Sequence, residues 1–313
     1  MSFPLPTSVT ANLWWAIAMV AGALAVGTVV RLIGLRGAAK DLVRKRVASL
    51  CSWWVVAIAI SLASVGGLSV ATPLFAVVSC LAFREMAHLT RPEPLRNALR
   101  IAGYLLIIGC YLSLVLTTDV VVLLGLPLLA TIVAACIMAV KYDLGSFNNQ
   151  TSSFGLAVIW TTALPAMAVV VLIPGEHSLP GEQFFLLMIL TEVNDIFAAL
   201  VGRRLGKRKL APVISPNKSF EGFLGGVIVT TIVALAFGSW LTELPMLALV
   251  QVGLVISLAG TLGDLNMSAI KRCAKVKDSS DVVPGQGGIL DRIDSLTLSA
   301  PAFYLLLQVG GAQ

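Results

Sequence analysis

The stretch VVVLLGLPLLATIVAACIMAV, residues 120–140, runs without a single charged side chain. A helix needs about 20 apolar residues to cross the hydrocarbon core of a bilayer, so this segment is long enough to span one. Reading outward from it, the runs between charges give further candidates near 12–34, 50–66, 70–88, 99–117, 154–174, 183–202, 222–241, 246–265 and 295–311. Gly66, Gly67 and Pro73 separate two of them in the manner of a tight hairpin. The last run is short, begins beside charges and suits a partly interfacial position. Nine or ten spans are expected.

Composition agrees. Of 313 residues, 58% are AVILMFWYC, and the 27 glycines bring the apolar share to about two-thirds, while charged residues make up 12%. Soluble domains carry roughly 45–50% apolar and about 25% charged residues. A soluble globule of this size could not hide so much apolar surface, which excludes soluble enzymes, disulfide scaffolds and disordered chains. The fold class is all-α, a polytopic membrane protein.

Charge fixes the expected orientation. With the N-terminus outside, the inner side receives 36–49, 84–98, 141–152, 203–220 and 266–294, with Arg31 and Arg100 at helix ends on the same side. All 22 Lys and Arg then lie inside, and Asp119, Glu176, Glu182 and Glu243 lie outside. Such a bias sets topology and accounts for the pI of 9.2 without nucleic acid. Met1–Asn12 carries no Lys or Arg before a run of over 20 residues, which reads as a span and not a cleaved signal. Cys51, Cys80, Cys110, Cys136 and Cys273 form no C-x-x-C pair, and His88 and His177 are too few for a histidine-built metal site.

Polar residues concentrate late in the chain. Residues 1–180 read as a lipid-facing scaffold and 181–313 as the catalytic part, with inner loops 203–220 and 266–294. Glu192, Asn194 and Asp195 fall inside the span 183–202, Glu221 opens the next helix, and Asp264 closes the one after. An acid at the bilayer centre costs at least about 2.5 kcal/mol unless paired or hydrated, so these are functional candidates, against the plainer reading that one or two pair with an Arg to hold the bundle. In the loop before Phe220, five basic residues between Arg203 and Lys209 read as headgroup contacts. Ser215-Pro216-Asn217-Lys218-Ser219 then leads into a capped helix start with Glu221 in its first turn. Free amides there, with Lys218 beside them, would cradle an anion.

The densest polar stretch is GDLNMSAIKRCAKVKDSSDVVPGQGGILDRIDS, 263–295. On a continued helix, Asp264, Ser268, Lys271 and Lys275 share a face. Lys277, Asp278 and Asp281 lead to Pro284-Gly285-Gln286-Gly287-Gly288, where glycines let backbone amides approach a phosphate, and Asp291, Arg292 and Asp294 follow. Acids and bases interleaved around a glycine turn suit a polyphosphate with its divalent metal.

These motifs resemble those of CDP-diacylglycerol synthases, the phosphatidate cytidylyltransferases. The resemblance rests on Ser268-Ala-Ile-Lys271-Arg272, Lys277-Asp278 and Pro284 through Asp294, on Ser215–Gly222 with Gly225-Gly226, and on Asp195 with Gly202-Arg203; it covers roughly 190–295. It implies a reaction on the cytoplasmic face: CTP and phosphatidate give CDP-diacylglycerol and pyrophosphate with magnesium, at one or two metal sites, the second open to a monovalent ion. Asp264 and Asp291 are the first expected metal ligands, with Asp278, Asp294 and Asp195 as outer or orienting groups. Asp264, Asp291, Lys271 and Arg292 are the expected catalytic set. Lys218, Ser215, Ser268, Arg272, Lys277, Gly285, Gln286, Gly287 and Gly288 are the expected substrate contacts. A homodimer in membrane lipid, in a bacterial cytoplasmic membrane, completes the expectation.

The sequence departs from that family at Gln286, where histidine is usual, at Asn217, where lysine is usual, at Val283 and at Ala199. Gln286 can donate and accept a hydrogen bond but cannot titrate. Three other readings stand beside the first: a CTP-using enzyme for another lipid phosphate or a polyprenol, a silent scaffold, and a transporter. Against the transporter, the polar groups cluster at one edge and the halves show no inverted repeat.

Overall fold

The computed structural model describes residues 9–36, 39–89, 95–141, 144–174, 179–280, 282–283 and 287–310. Helices account for nearly all of them. They are α1 Ala11–Ile33, α2 Lys40–Leu89, α3 Asn97–Leu116, α4 Val120–Lys141, α5 Leu144–Val158, α6 Leu164–Val170, α7 Pro180–Leu205, α8 Phe220–Val233, α9 Ser239–Leu241, α10 Met246–Cys273, α11 Leu290–Ile293 and α12 Leu296–Gly310. Five-residue π turns at Ile159–Ala163 and Ala234–Gly238 join α5 to α6 and α8 to α9. Among the described residues, eight helical stretches are long and apolar enough to cross a membrane.

One of the eight, Arg46–Leu89, is 44 residues long, and α2 is broken within it at Gly67, which has φ 60° and ψ −148°. Ala48 and Val78 stand on opposite sides of that break and line the same cavity. On a straight helix 30 residues apart they would be about 45 Å from each other. The chain therefore folds back at Gly67, where the sequence predicts a hairpin, and both arms of α2 face α7. Only a residue without Cβ takes this φ freely.

α7 is the central rod, with Phe184, Phe185, Leu186, Leu187 and Leu190 buried. Its far face meets α8 through small residues. A Cβ at Gly222 would lie 2.6 Å from the Ala198 carbonyl oxygen and 2.9 Å from Gly202 Cα, and one at Gly226 would lie 2.7 Å from Asn194 Oδ1. The glycines of α8 thus bring its backbone onto the stripe Asn194, Ala198, Gly202, as small residues spaced by four do where lipid supplies no hydrophobic drive. α10 meets α8 the same way at Gly253, whose Cβ would be 2.5 Å from Thr231 Cα.

One sequence expectation changes, and the structure adds three features. The fold is not wholly helical: β1 Lys209–Ala211 and β2 Ser215–Ser219 form an antiparallel ribbon, with Lys209 opposite Ser219 and Ala211 opposite Ser215 across a bulge. The inner segment 141–152 is helical from Leu144, and Gln150 there is buried with its Oε1 accepting the Arg96 amide at 2.9 Å. The shared face of α10 stops short of Lys275: the helix ends at Cys273 and Lys275 adopts φ 59°. The final segment, α12, buries Leu296, Thr297, Ser299, Ala300 and Phe303 inside the bundle.

Replacing Gly253 by valine is expected to lower thermal stability in detergent by about 1–3 kcal/mol, because the branched Cβ meets backbone that cannot move aside. An unchanged melting temperature would mean that α8 and α10 do not approach as described.

Candidate active site

The polar residues converge where α7, the ribbon, α10 and the segment 276–295 meet. Ser219 caps α8: its Oγ accepts the Gly222 amide at 3.1 Å, as the sequence predicts. Glu221 turns back to accept the Lys207 amide at 2.9 Å and the Arg208 amide at 3.1 Å, closing the ribbon's open end. The Phe220 amide goes to the Arg208 carbonyl. The amides of Phe220 and Gly222, candidates for an anion cradle, are thus used within the fold. Lys218 points away from that helix start, toward Asp264.

Two ion pairs divide the cations. Lys218 Nζ lies 2.6 Å from Asp264 Oδ2, and both side chains keep about a quarter of their surface exposed (25% and 26%). Lys271 Nζ lies 2.5 Å from Asp291 Oδ1, and these side chains are nearly sealed, at 10% and 7%. An exposed pair is worth about 0–1 kcal/mol and exchanges partners readily, whereas breaking a buried one costs about 3–5 kcal/mol. The first pair is therefore the more accessible to solvent and the second the more firmly held.

Around Asp264 gather Asp195 and Asp294. Ser295 Oγ donates to Asp195 Oδ2 at 2.7 Å, Ser268 Oγ donates to Asp264 Oδ1 at 3.1 Å, and Asp294 Oδ1 accepts the Ser295 amide at 2.8 Å. Burial and the repulsion of Asp264 and Asp195 raise Asp294 well above the usual carboxylate range. Gly263 lets α10 come this close, since a Cβ there would strike the Asp294 carbonyl oxygen. Among the described residues no three acidic, histidine or cysteine side chains form a ready metal cage. Magnesium does not ask for one: it is held by one or two carboxylates plus substrate phosphates. Asp264, partly exposed and next to Asp195 and Asp294, is the member of the group that meets that demand.

Asp291 is placed differently from Asp264. Besides Lys271, it receives the amides of Ser279 and Gly288 on Oδ2, each at 3.0 Å. Burial pushes its carboxyl up, but the Lys271 ammonium and these amides outweigh burial and hold it below the ordinary range. Gly287 sits at φ 87°, and a Cβ on it would be 2.8 Å from Asp291 Oδ2. A Cβ on Gly288 would run into Ser279 Oγ and Glu85 Oε2. These glycines serve the carboxylates of the loop, and the Gly288 amide is taken by Asp291. Gly285 and Gln286 lie outside the described residues.

Sequence reasoning overlooked Glu85. Although 5% exposed, it forms no salt bridge among the described residues. Its Oε1 accepts Ser280 Oγ at 2.6 Å and the Ile289 amide at 3.0 Å; its Oε2 accepts Ser279 Oγ at 2.8 Å and the Leu290 amide at 2.9 Å. An acid in the last turns of an apolar span was the one available signal. Elsewhere, Arg272 Nε reaches the Ile214 carbonyl at 3.2 Å and Nη1 the Val276 carbonyl at 3.0 Å, tying the ribbon to α10. Lys277 and Asp278 are exposed, and Ser215 is half-buried on β2.

Next to the acidic cluster lies a cavity of about 560 Å³. Its walls are apolar side chains such as Val55, Ile60, Phe75 and Phe184, from both arms of α2 and from α7; Glu192, Asp195, Arg292 and Ser295 are among its polar lining residues.

This arrangement defines a polytopic helical membrane protein with a charged, phosphate-suited site at one edge and an apolar cavity beside it. Residues 45–310 match the cytidylyltransferase family, and the chain belongs to it. It is 35% identical over 262 residues to the uncharacterized protein YnbB of Escherichia coli, covering 82% of this chain and 85% of that one. It is 47% identical over 116 residues to the phosphatidate cytidylyltransferase of Bacillus subtilis, covering 36% of this chain and 43% of that one. With the phosphatidate cytidylyltransferase of Haemophilus influenzae it shares 36% identity over 180 residues, covering 54% and 62%. The chain spans about half the length of these two enzymes.

Lys271→Met is expected to destabilise the protein by about 3 kcal/mol at neutral pH, because Asp291 loses its buried partner. Asp291 has a lowered folded pKa, so its contribution is present above its unfolded value, about 3.9, and fades as pH falls through the folded one. The gap between wild type and variant should therefore narrow below about pH 4 in thermal melts. A gap that stays constant with pH would remove Asp291 from the explanation.

Proposed function

We propose that this chain is a membrane nucleotidyltransferase that joins CTP to phosphatidate, releasing CDP-diacylglycerol and pyrophosphate. The observation that carries the proposal is the junction of two environments. An apolar cavity fit for lipid chains ends at Arg292, Asp195 and Ser295, where the acids and Lys218 begin. Family membership and the names of the two matched enzymes point to the same chemistry.

In this reaction a phosphate oxygen of the lipid attacks the α-phosphorus of CTP. The bond from that phosphorus to the oxygen leading to the β-phosphoryl breaks, and pyrophosphate leaves. The attacking oxygen is already ionised at neutral pH, so no general base is needed; alignment and charge neutralisation are the whole task. Asp264, Asp195 and Asp294 are the residues that would hold magnesium, which when bound neutralises phosphate charge. Lys218, paired with the partly exposed Asp264, is free to turn to a phosphate. Arg292 stands at the cavity's polar end to receive the lipid headgroup. Asp291 and Lys271 hold the loop in shape, and Asp278, being exposed, plays no part in the cluster.

The reading includes the membrane frame. The fold-back at Gly67 divides Arg46–Leu89 into two crossings, the N-terminus lies outside, and the site faces the cytoplasm of a bacterial cell.

Purified protein in detergent, given magnesium, labelled CTP and phosphatidate, is expected to release pyrophosphate and form CDP-diacylglycerol only when all three are present. Asp264→Asn should lower that rate on the order of 100-fold while the melting temperature holds. CTP consumed with a different lipid phosphate, but not with phosphatidate, would replace the acceptor. No nucleotide binding at all would overturn the reading.

A further inference from the structure

The proposed transfer draws its charged groups from residues 195–295, yet the loop that presents several of them is held from the other half of the chain. Glu85 is buried near the end of α2 and receives four hydrogen bonds from that loop. Two come from the hydroxyls of Ser279 and Ser280, and two from the amides of Ile289 and Leu290, so the carboxylate ties these two pairs of residues together. Lipid and apolar core offer no replacement for those donors, and a buried carboxylate without them is costly.

Ser279 connects this clamp to the second one. Its Oγ lies 2.8 Å from Glu85 Oε2 and 3.0 Å from Asp291 Oδ2, while its amide donates to Asp291. Ser280 Oγ donates to Glu85 and accepts the Val282 amide at 3.2 Å. Gly288 has no room for a side chain because Ser279 and Glu85 fill that space. Leu290 and Ile289 lead directly into Asp291, Arg292 and Asp294, so the direction in which those groups point is set by how the turn's end is held.

We propose that Glu85 is a positioning residue for the cytidylyl transfer proposed above, tying residues 279–280 to 287–291 through Ser279, Ser280, Ile289 and Leu290 so that Arg292 and Asp294 face the site. The role rests on that functional reading, but the clamp itself can be tested apart from it. α2 also explains the choice of element. Leu74, Phe75 and Val78 on the same arm line the apolar cavity, and Glu85 lies two turns further along, so one rigid helix borders the cavity and holds the loop.

The test uses full-length protein in detergent with four variants: E85Q, S280V, S280T and the double variant E85Q/S280V. Valine and threonine have the same shape and differ in the hydroxyl that Glu85 accepts. Hydrogen exchange is read first: amides at Ile289 and Leu290 are expected to exchange on the order of 10-fold faster in E85Q, with those of α10 unchanged. Kinetics follow. E85Q and S280V should each lower kcat/KM for CTP on the order of 10- to 100-fold and raise KM for the lipid several-fold, because Arg292 is no longer held toward the headgroup. S280T should stay several-fold more active than S280V, and the double variant should be no worse than E85Q alone.

Equal activity of S280T and S280V, additive losses in the double variant, or unaltered exchange in E85Q would overturn the proposal. Should E85Q fail to fold, the S280T and S280V pair decides. If wild type gives no cytidylyl transfer but exchange changes as expected, the functional reading has failed and the clamp stands as architecture alone.

Discussion

A polar group inside this bundle has no water to fall back on, and that constraint organises everything else in the structure. Glu85, Glu182, Asp195 and Asp291 are each met by donors that the fold itself supplies. Glu182, at 4% exposure, accepts Thr10 Oγ1 at 2.6 Å and so ties the start of α1 to the start of α7. Asp195 takes Ser295, Asp264 takes Ser268 and Lys218, Asp291 takes Lys271 with two amides, and Glu85 takes four donors from one loop. Each such bond is worth more against a charge than between neutral groups, about 1.5–3 kcal/mol, because the alternative is an unpaired charge in apolar surroundings. Glu85, Glu182 and Asp291 lie at helix ends or beside loops, where backbone and hydroxyl donors are available, while Asp195 and Asp264 lie within α7 and α10 and take hydroxyls from Ser295 and Ser268.

Converging acids from separate helices requires those helices to come close, and glycine provides the distance. Gly222 and Gly226 seat α8 on α7, and Gly263 seats α10 against the backbone at Asp294. Without these contacts Asp195, Asp264 and Asp294 would stand farther apart and repel one another less. The close approach therefore concentrates negative charge at one point, and the raised Asp294 is the result. Hydroxyl side chains line the same contacts, Thr191 with Ser299 at 3.1 Å among them, so the packing that creates the repulsion also supplies polar neighbours.

Much of this was legible in the sequence, for reasons that differ by residue. The spans follow from length and hydropathy, which lipid reads directly. The fold-back at Gly67 was marked by paired glycines, the cap at Ser219 by its place before an apolar run, and the acidic residues by being charged inside or beside spans. The ribbon was hidden because its closure depends on Glu221 reaching the amides of Lys207 and Arg208, a pairing without a sequence pattern. Glu85 was hidden more deeply: its partner Leu290 is 205 positions away, and no periodicity links them. Asp264 and Asp291 looked equivalent in sequence, each an acid at a segment boundary. Neighbours that only the fold brings in separate them: Asp195 and Asp294 for one, Lys271 and two amides for the other.

That separation says what each charge is for. A group sealed with its partner at 10% and 7% exposure stays put whether or not a ligand is present, so Lys271 and Asp291 define the frame. A pair at about a quarter exposure, Lys218 and Asp264, is one that water reaches and a phosphate can compete for. On the proposed reading, a triphosphate arriving there takes Lys218 from Asp264 and leaves that carboxylate unpaired beside Asp195 and Asp294. Asp264, Asp195 and Asp294 would then be the residues available to hold a divalent cation, which would neutralise phosphate charge there. The resting ion pair offsets one of these charges until then, so on this reading the contact that stabilises the empty protein is also the one that substrate opens.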